Sequence, residues 1–185
     1  MISGIVLAAG SGSRFGATKQ LVPLGGTPMV LHAVASLRSA RVDEIVVVTG
    51  HDADAVEAVL PGDVRAVRNA AYRDGQATSL AVGLHALDAT TEGAVVLMAD
   101  QPGVTAQDVT ALIDAFRSSR ARIIRISYAD GPGPALLSRE IHGEAGHLHG
   151  DAGARVLMAS HPEWVEEVRI DRSMPRDIDT PGDLP

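Results

Sequence analysis

Between Leu7 and Lys19 the chain reads Leu-Ala-Ala-Gly-Ser-Gly-Ser-Arg-Phe-Gly-Ala-Thr-Lys. Small residues let backbone N–H groups approach an anion closely, and glycine permits the tight turns that aim them. Arg14 and Lys19 add positive charge and donors for phosphate oxygens. Much further along, Asp100 follows the run Val95-Val96-Leu97-Met98 and precedes Gln101-Pro102, and Asp177-Ile178-Asp179-Thr180-Pro181 offers a second carboxylate. A carboxylate beside a polyphosphate implies a hard divalent cation, because two anions repel unless a cation bridges them. Asp100 and Asp179 are therefore candidate metal ligands, with Mg²⁺ the expected ion. Each has a plainer alternative. Asp100 can open the turn into the next helix, and Asp179-Thr180-Pro181 also reads as a turn and helix cap. For Asp179 the residues alone leave both open.

The glycine-rich stretch fits none of the simpler phosphate motifs. A dinucleotide-binding turn requires Gly-x-Gly-x-x-Gly leading straight into a helix. Here the third glycine, Gly16, stands one position late, Pro23 and Gly25-Gly26 delay the helix, and the second strand ends in Thr49-Gly50 rather than an acid. A P-loop requires Gly-Lys followed by Ser or Thr, which is absent from the stretch. A flexible loop with solvated charges accounts for the glycines but not for two cations at a strand end. His142, Glu144, His147, His149 and Asp151 invite a second metal reading. Their spacing matches no established zinc pattern, so surface histidines are the expectation.

The elements that must position these residues follow from hydrophobic spacing. Ile5-Val6-Leu7 reads as a strand ending at Ala8-Ala9-Gly10. Thr27-Pro28 reads as a helix N-cap with proline at the first helical position, and Val30, Leu31, Val34 and Leu37 recur behind it at helical intervals. Ile45-Val46-Val47-Val48 is a β-branched run suited to a strand buried on both faces. A short helix is expected over 54–60, a weaker strand over 64–67, a helix over 76–87 and a buried strand over 94–98. Thr105 to Phe116 is a well-marked helix, with Val109, Leu112, Ile113 and Phe116 as its apolar stripe. A strand is expected around Ile123 to Ile126. Residues 129–150, rich in Gly, Pro and His, read as a loop or small lobe over the sheet edge. A helix over 151–160 and a strand over 164–170 complete the chain. The alternation predicts an α/β, three-layer fold with a mainly parallel sheet and helices on both faces, a Rossmann-like arrangement in one domain over 1–185. Ligands of such sheets bind at the carboxyl ends of the strands, where the glycine-rich loop and Asp100 both fall.

Composition narrows the classes. Of 185 residues, 16 are basic and 23 acidic, a formal net charge of −7, where a nucleic-acid binder would show a basic excess. Aromatic residues make up 3%, too few for stacking platforms, and the 45% hydrophobic share supports a sizeable core of Val, Leu, Ile and Ala. With no cysteine there is no disulfide, thiol nucleophile or thiolate metal site. The N-terminus lacks a basic n-region, and no apolar run is long enough to span a bilayer. The expectation is a cytoplasmic protein that engages neither membrane nor nucleic acid.

Taken together, these residues resemble the MobA-like nucleotidyltransferase family, and within it the molybdenum cofactor cytidylyltransferase type. The likeness rests on Leu7-Ala8-Ala9-Gly10, Gly12, Arg14-Phe15-Gly16, Lys19 and Leu21-Val22-Pro23, with Phe15 where the family usually has methionine. It continues through Val46-Val47-Val48-Thr49-Gly50, then Asn69, Gly75, Ser79-Leu80 and Gly83-Leu84, then Asp100-Gln101-Pro102. Gly150-Asp151, Gly153-Ala154-Arg155 and Asp179-Thr180-Pro181 with Asp183-Leu184 close the series. The resemblance implies that Leu7, Ala8, Ala9 and Gly10 line the nucleotide, with Gly75 and Ser79 near base and ribose. It implies that Arg14 and Lys19 hold the triphosphate and stabilise charge during transfer, and that Asp100 and Asp179 position Mg²⁺. CTP is the implied donor, because guanylyl-transferring members tend to carry glycine where Ala9 stands. The acceptor would be a phosphorylated small molecule such as a molybdopterin, chosen by residues 129–155. One departure matters there: Gly133-Pro134 stands where the branch often has His-Pro. A sugar- or alcohol-phosphate cytidylyltransferase, or a non-catalytic nucleotide-binding protein of the same fold, remain alternatives.

Overall fold

The computed structural model describes residues 1–12, 15–145, 147–148, 150 and 153–184. Arg14, His149 and Asp151, singled out above, lie outside them. Among the described residues the strands are β1 (Ile2–Ala8), β2 (Pro23–Leu24), β3 (Thr27–Pro28), β4 (Glu44–Thr49), β5 (Arg65–Arg68), β6 (Gly93–Met98), β7 (Ile123–Tyr128), β8 (Gly131–Ser138) and β9 (Val165–Ile170). The α-helices are α1 (Met29–Ser39), α2 (Ala53–Glu57), α3 (Gln76–Ala86), α4 (Ala106–Ser118), α5 (His142–Ala145) and α6 (Arg155–Ser160). Seven strands form one sheet in the order β5-β4-β1-β6-β8-β7-β9. β8 alone runs against its neighbours, antiparallel to both β6 and β7. β1 is central, with Leu7 opposite Val48 on one side and Met98 on the other.

Strand alternation divides the core into two layers, because successive side chains point to opposite faces. Val6, Val47, Val95 and Ile124 pack with α1 and α4 on one face. Ile5, Leu7, Val46 and Val48 pack with α3 on the other. The three-layer α/β architecture expected from the sequence is the one observed.

Two local readings need correction. The segment expected to be a loop or lobe over the sheet edge contains β8, an inner strand. Its second half, Ala135 to Ser138, pairs with β6, whereas Gly131 and Pro132 pair only with β7, across a register shift between Arg125 and Ser127. Prolines lack the N–H a regular ladder needs and are tolerated at such irregularities, so the Gly-Pro signal marks a bulged strand rather than a loop. Thr27-Pro28 likewise does not cap and open a helix. It pairs with Pro23–Leu24 around Gly25-Gly26, and α1 begins one residue later without a side-chain cap.

α4 carries the most complete helix start. Thr105 Oγ1 accepts the Asp108 N–H at 3.3 Å, and the Asp108 carboxylate accepts the Thr105 backbone N–H at 2.7 Å. This capping box satisfies donors left free at the helix N-terminus. The same carboxylate, almost fully buried, pairs with Arg172 beyond β9. Asp108 thus fastens the start of α4 to the C-terminal segment. Asp108→Ala should destabilise the protein by roughly 2–3 kcal/mol, combining a lost capping box with a half-exposed ion pair. Thr105→Ala should lose only about 1 kcal/mol. Urea unfolding of both variants checks this; equal losses would show that the Arg172 pair contributes nothing.

Candidate active site

β1, β4 and β6 end side by side, and the segments that follow β1, β5 and β6 line adjoining clefts at that rim. After Ala8 the chain passes through Ala9, Gly10, Ser11 and Gly12, and the Phe15 N–H donates to the Gly12 carbonyl at 2.7 Å. Gly12 has φ +56°, and a Cβ there would meet the Lys19 Cβ at 2.7 Å, so glycine is required both by backbone and by space. A 3-10 turn, Lys19–Leu21, then buries Lys19 and Gln20 against the loop.

The Lys19 ammonium donates to Asp100 Oδ2 at 2.9 Å and to Asp179 Oδ1 at 2.8 Å. Burial alone would lower its pKa, but the hydrogen bonds and charges of Asp179 and Asp100 outweigh burial and raise it. The lysine is therefore held charged. With Leu7, Gly10 and Ser11, the three side chains line a cleft of about 270 Å³.

Asp179 reaches this cleft because the C-terminal segment is tied down on both sides. The Ile178 N–H donates to the Asp100 carbonyl at 3.0 Å, and Gln101 Nε2 donates to Asp177 at 2.8 Å. Beyond them, Asp183 accepts the Thr180 N–H at 2.7 Å in a capping box over Pro181–Asp183. The turn-and-cap reading of Asp179-Thr180-Pro181 is the one seen here, and the same turn delivers the Asp179 carboxylate to Lys19. Asp177 instead pairs with Gln101.

A second cleft adjoins the first through Leu7, Gly10, Ser11 and Met98, and is bounded by Ala9, Gly75, Ser79, Tyr72 and Arg73. Asn69 organises its wall. Its Nδ2 donates to Ser79 Oγ at 2.9 Å and Thr78 Oγ1 at 2.8 Å, and its Oδ1 accepts the Ala71 N–H at 2.9 Å. Gly75 has φ +110°, and a Cβ there would lie 2.4 Å from the Gly150 carbonyl carbon, so the bare backbone lets Gly150 close over the start of α3. Ala9 is almost buried and lies against Gly50.

A third, more apolar cavity of about 300 Å³ continues from Leu7, Gln76 and Met98 toward Pro132, Gly133 and Pro134, with Arg125 and Arg155 in its wall. Arg125 pairs with Glu167, while its Nε is buried without a partner among the described residues.

The structure thus gathers Leu7, Gly10, Lys19, Asp100 and Asp179 in one cleft and Ala9, Gly75 and Ser79 in the next, while Ala8 is buried behind them. Of the candidate second metal set, His142, Glu144 and His147 are described, and none of the three lines these clefts. His142 is buried, with Nε2 3.3 Å from the Leu137 carbonyl, and burial lowers its pKa. Sequence reasoning missed Gln20, Tyr72 and Arg73. For Gln20 the available signal was a polar residue between Lys19 and the apolar Leu21-Val22-Pro23; for Tyr72 and Arg73 there was none beyond proximity to Gly75. No helix among the described residues is long and apolar enough to cross a membrane.

Known proteins share this fold. The chain is 31% identical to nicotine blue oxidoreductase of Paenarthrobacter nicotinovorans, covering 97% of this chain and 92% of the relative. It superposes with TM-score 0.85 on Rv0371c of Mycobacterium tuberculosis in complex with manganese, at 32% identity, over 98% of this chain and 95% of that one. A nucleotidyl transferase of Methanothermobacter superposes with TM-score 0.84 at 27% identity, over 99% and 94% of the two chains. Residues 4–165 match the MobA-like NTP transferase domain. The chain belongs to this family of nucleotidyltransferases.

Proposed function

We propose that the protein transfers CMP from CTP to a phosphorylated small-molecule acceptor, with release of pyrophosphate. The observation that carries the reading is the Lys19 ammonium held between Asp100 and Asp179 at the mouth of the loop after β1. The Paenarthrobacter relative's name describes that protein; in this one, a cation–carboxylate cluster beside a glycine-rich loop supports group transfer between phosphates. Two carboxylate oxygens close enough to share one ammonium suit a hard divalent ion, which completes its shell with water and phosphate oxygens. Manganese in the Rv0371c structure is consistent with such an ion. Asp100 and Asp179 would hold it, with Mg²⁺ the proposed ion in this protein. When bound, it neutralises charge on the phosphoryl oxygens.

The remaining chemistry falls to the chain itself. Backbone groups from Ala9 to Ser11 border the triphosphate, with Ala8 buried behind them, and Gly75 and Ser79 border base and ribose. Lys19 turns to the α-phosphate and the departing pyrophosphate, and Arg14 supports the same charge. An oxygen of the acceptor phosphate attacks the α-phosphorus as the bond to the bridging oxygen breaks. Positioning and electrostatics do this work, and no protein nucleophile is required. The cavity beside Gly133 and Pro134 is the proposed acceptor side, with a molybdopterin as one candidate.

Three measurements test the assignment. Asp100→Asn keeps size and removes charge, so turnover should fall about 10²-fold or more; full activity at limiting Mg²⁺ would show that Asp100 holds no essential metal. Lys19→Ala should reduce kcat roughly 10²–10³-fold at saturating nucleotide, whereas a change confined to KM would assign the lysine to uniform binding. Calorimetric titration with Mg²⁺ present should show CTP binding at least about tenfold tighter than GTP, within what pocket shape delivers. Ala9→Gly should narrow that gap, and tighter GTP binding by the native protein would overturn the cytidylyl assignment.

A further inference from the structure

Gln20 is 5% exposed, and its carboxamide reaches across the base of the glycine-rich loop. Nε2 donates to the Ala8 carbonyl at 2.9 Å and to the Gly10 carbonyl at 2.6 Å. Both neighbours are acceptors, so the amide nitrogen must face them, and both of its hydrogens are used. Oε1 is buried without a partner among the described residues. The intervening Ala9 carbonyl is taken by the His51 N–H at 3.1 Å. Three successive carbonyls of the loop are therefore each turned onto a donor.

That has a consequence for an anion. In a trans peptide the carbonyl of one residue and the N–H of the next point in opposite directions. Fixing the carbonyls of Ala8 and Gly10 on Gln20 fixes the N–H groups of Ala9 and Ser11 away from it. A loop free to flip these peptides would offer carbonyl oxygens to a phosphate and repel it. From this geometry we infer that Gln20 is a positioning residue for the nucleotide: its carboxamide holds the Ala8 and Gly10 carbonyls out of the phosphate site and keeps the loop set to receive a triphosphate. Gln20 borders the cleft, and both hydrogens of its carboxamide are spent on the loop carbonyls. It acts through the loop, while its neighbour Lys19 acts on the carboxylates. The inference rests on the nucleotidyl-transfer reading of the same cleft.

Gln20→Met fills a similar volume but donates nothing. Gln20→Glu keeps the shape and sets a carboxylate against two carbonyl oxygens. Binding of CTP with Mg²⁺ is measured by calorimetry on folded protein, alongside thermal melting, kcat and KM for nucleotide. Affinity should weaken at least about tenfold in Gln20→Met, and further in Gln20→Glu, the size expected for misaligned anion-binding groups. kcat at saturating nucleotide should fall as well. A residue that only supports the fold would lower the melting temperature and leave the nucleotide affinity of folded molecules unchanged, and that result overturns the inference. Should Gln20→Met not fold, Gln20→His, with one ring donor, carries the test: native nucleotide affinity there also overturns it. The native protein is first titrated with the four ribonucleoside triphosphates. If none binds, the nucleotidyl-transfer reading fails and the inference falls with it; if one binds and the variants match the native protein, the inference alone fails.

Discussion

A single ammonium shared by two carboxylates sets the geometry of this molecule's cleft. Lys19, Asp100 and Asp179 come from the beginning, middle and end of the chain. Asp100 and Asp179 would repel each other at this separation were the lysine not between them. Lys19 is in turn poorly hydrated, its side chain 10% exposed, and the two acids more than offset what burial costs its charged form. The three stand or fall together, and each is fixed by a different device. A 3-10 turn buries the lysine, the end of β6 carries the first aspartate, and a capped C-terminal turn carries the second.

The sheet supplies the frame for that cluster. Four parallel strands end at one rim, so the loops after β1, β4 and β6 meet without long excursions. The polar contacts behind them are short-range and largely buried: Gln20 on the loop carbonyls, Asn69 on the turn before α3, the Ile178 N–H on the Asp100 carbonyl. None of these side chains is charged. The charged groups face the depression, and uncharged amides hold the backbone around it, which avoids the desolvation penalty of burying further ions.

Much of this was readable from spacing. The β-branched runs of β1, β4 and β6 and the amphipathic pattern of α4 identify parallel strands and a crossover helix, because burial on two faces and on one leave different periods. Lys19 and Asp100 were legible as candidates because they fall in the segments that follow β1 and β6, whereas for Asp179 the residues alone left a carboxylate ligand and a helix cap both open. β8 was not legible. Gly-Pro-Gly-Pro reports local backbone preference, whereas the strand is fixed by pairing with β6 and β7, a tertiary effect that no local signal carries. Gln20 was hard to find for a related reason. An amide that binds backbone looks in sequence like any surface polar residue, and only the fold shows which carbonyls it meets. Thr27-Pro28 was misread because its two-residue pairing with Pro23–Leu24 took residues that otherwise suit a helix start.

β8's place between β6 and β7 has a consequence for how the chain can be assembled. Until residues 135–138 arrive, β6 has a bare edge, and β7 has no neighbour joining it to the parallel half of the sheet. Synthesis from the N-terminus therefore produces first a half-sheet with an open, Val-rich border, the kind of border prone to pairing with other chains. Closing it requires contacts between distant parts of the sequence, which slows folding relative to local pairing. The cleft lags further still, because Asp179 follows β9, the last strand of the sheet. A nascent or truncated chain that ends after β9 would have all seven strands of the sheet and an incomplete cluster. In this architecture, closing the sheet and completing the cluster are separate events in the life of the polypeptide.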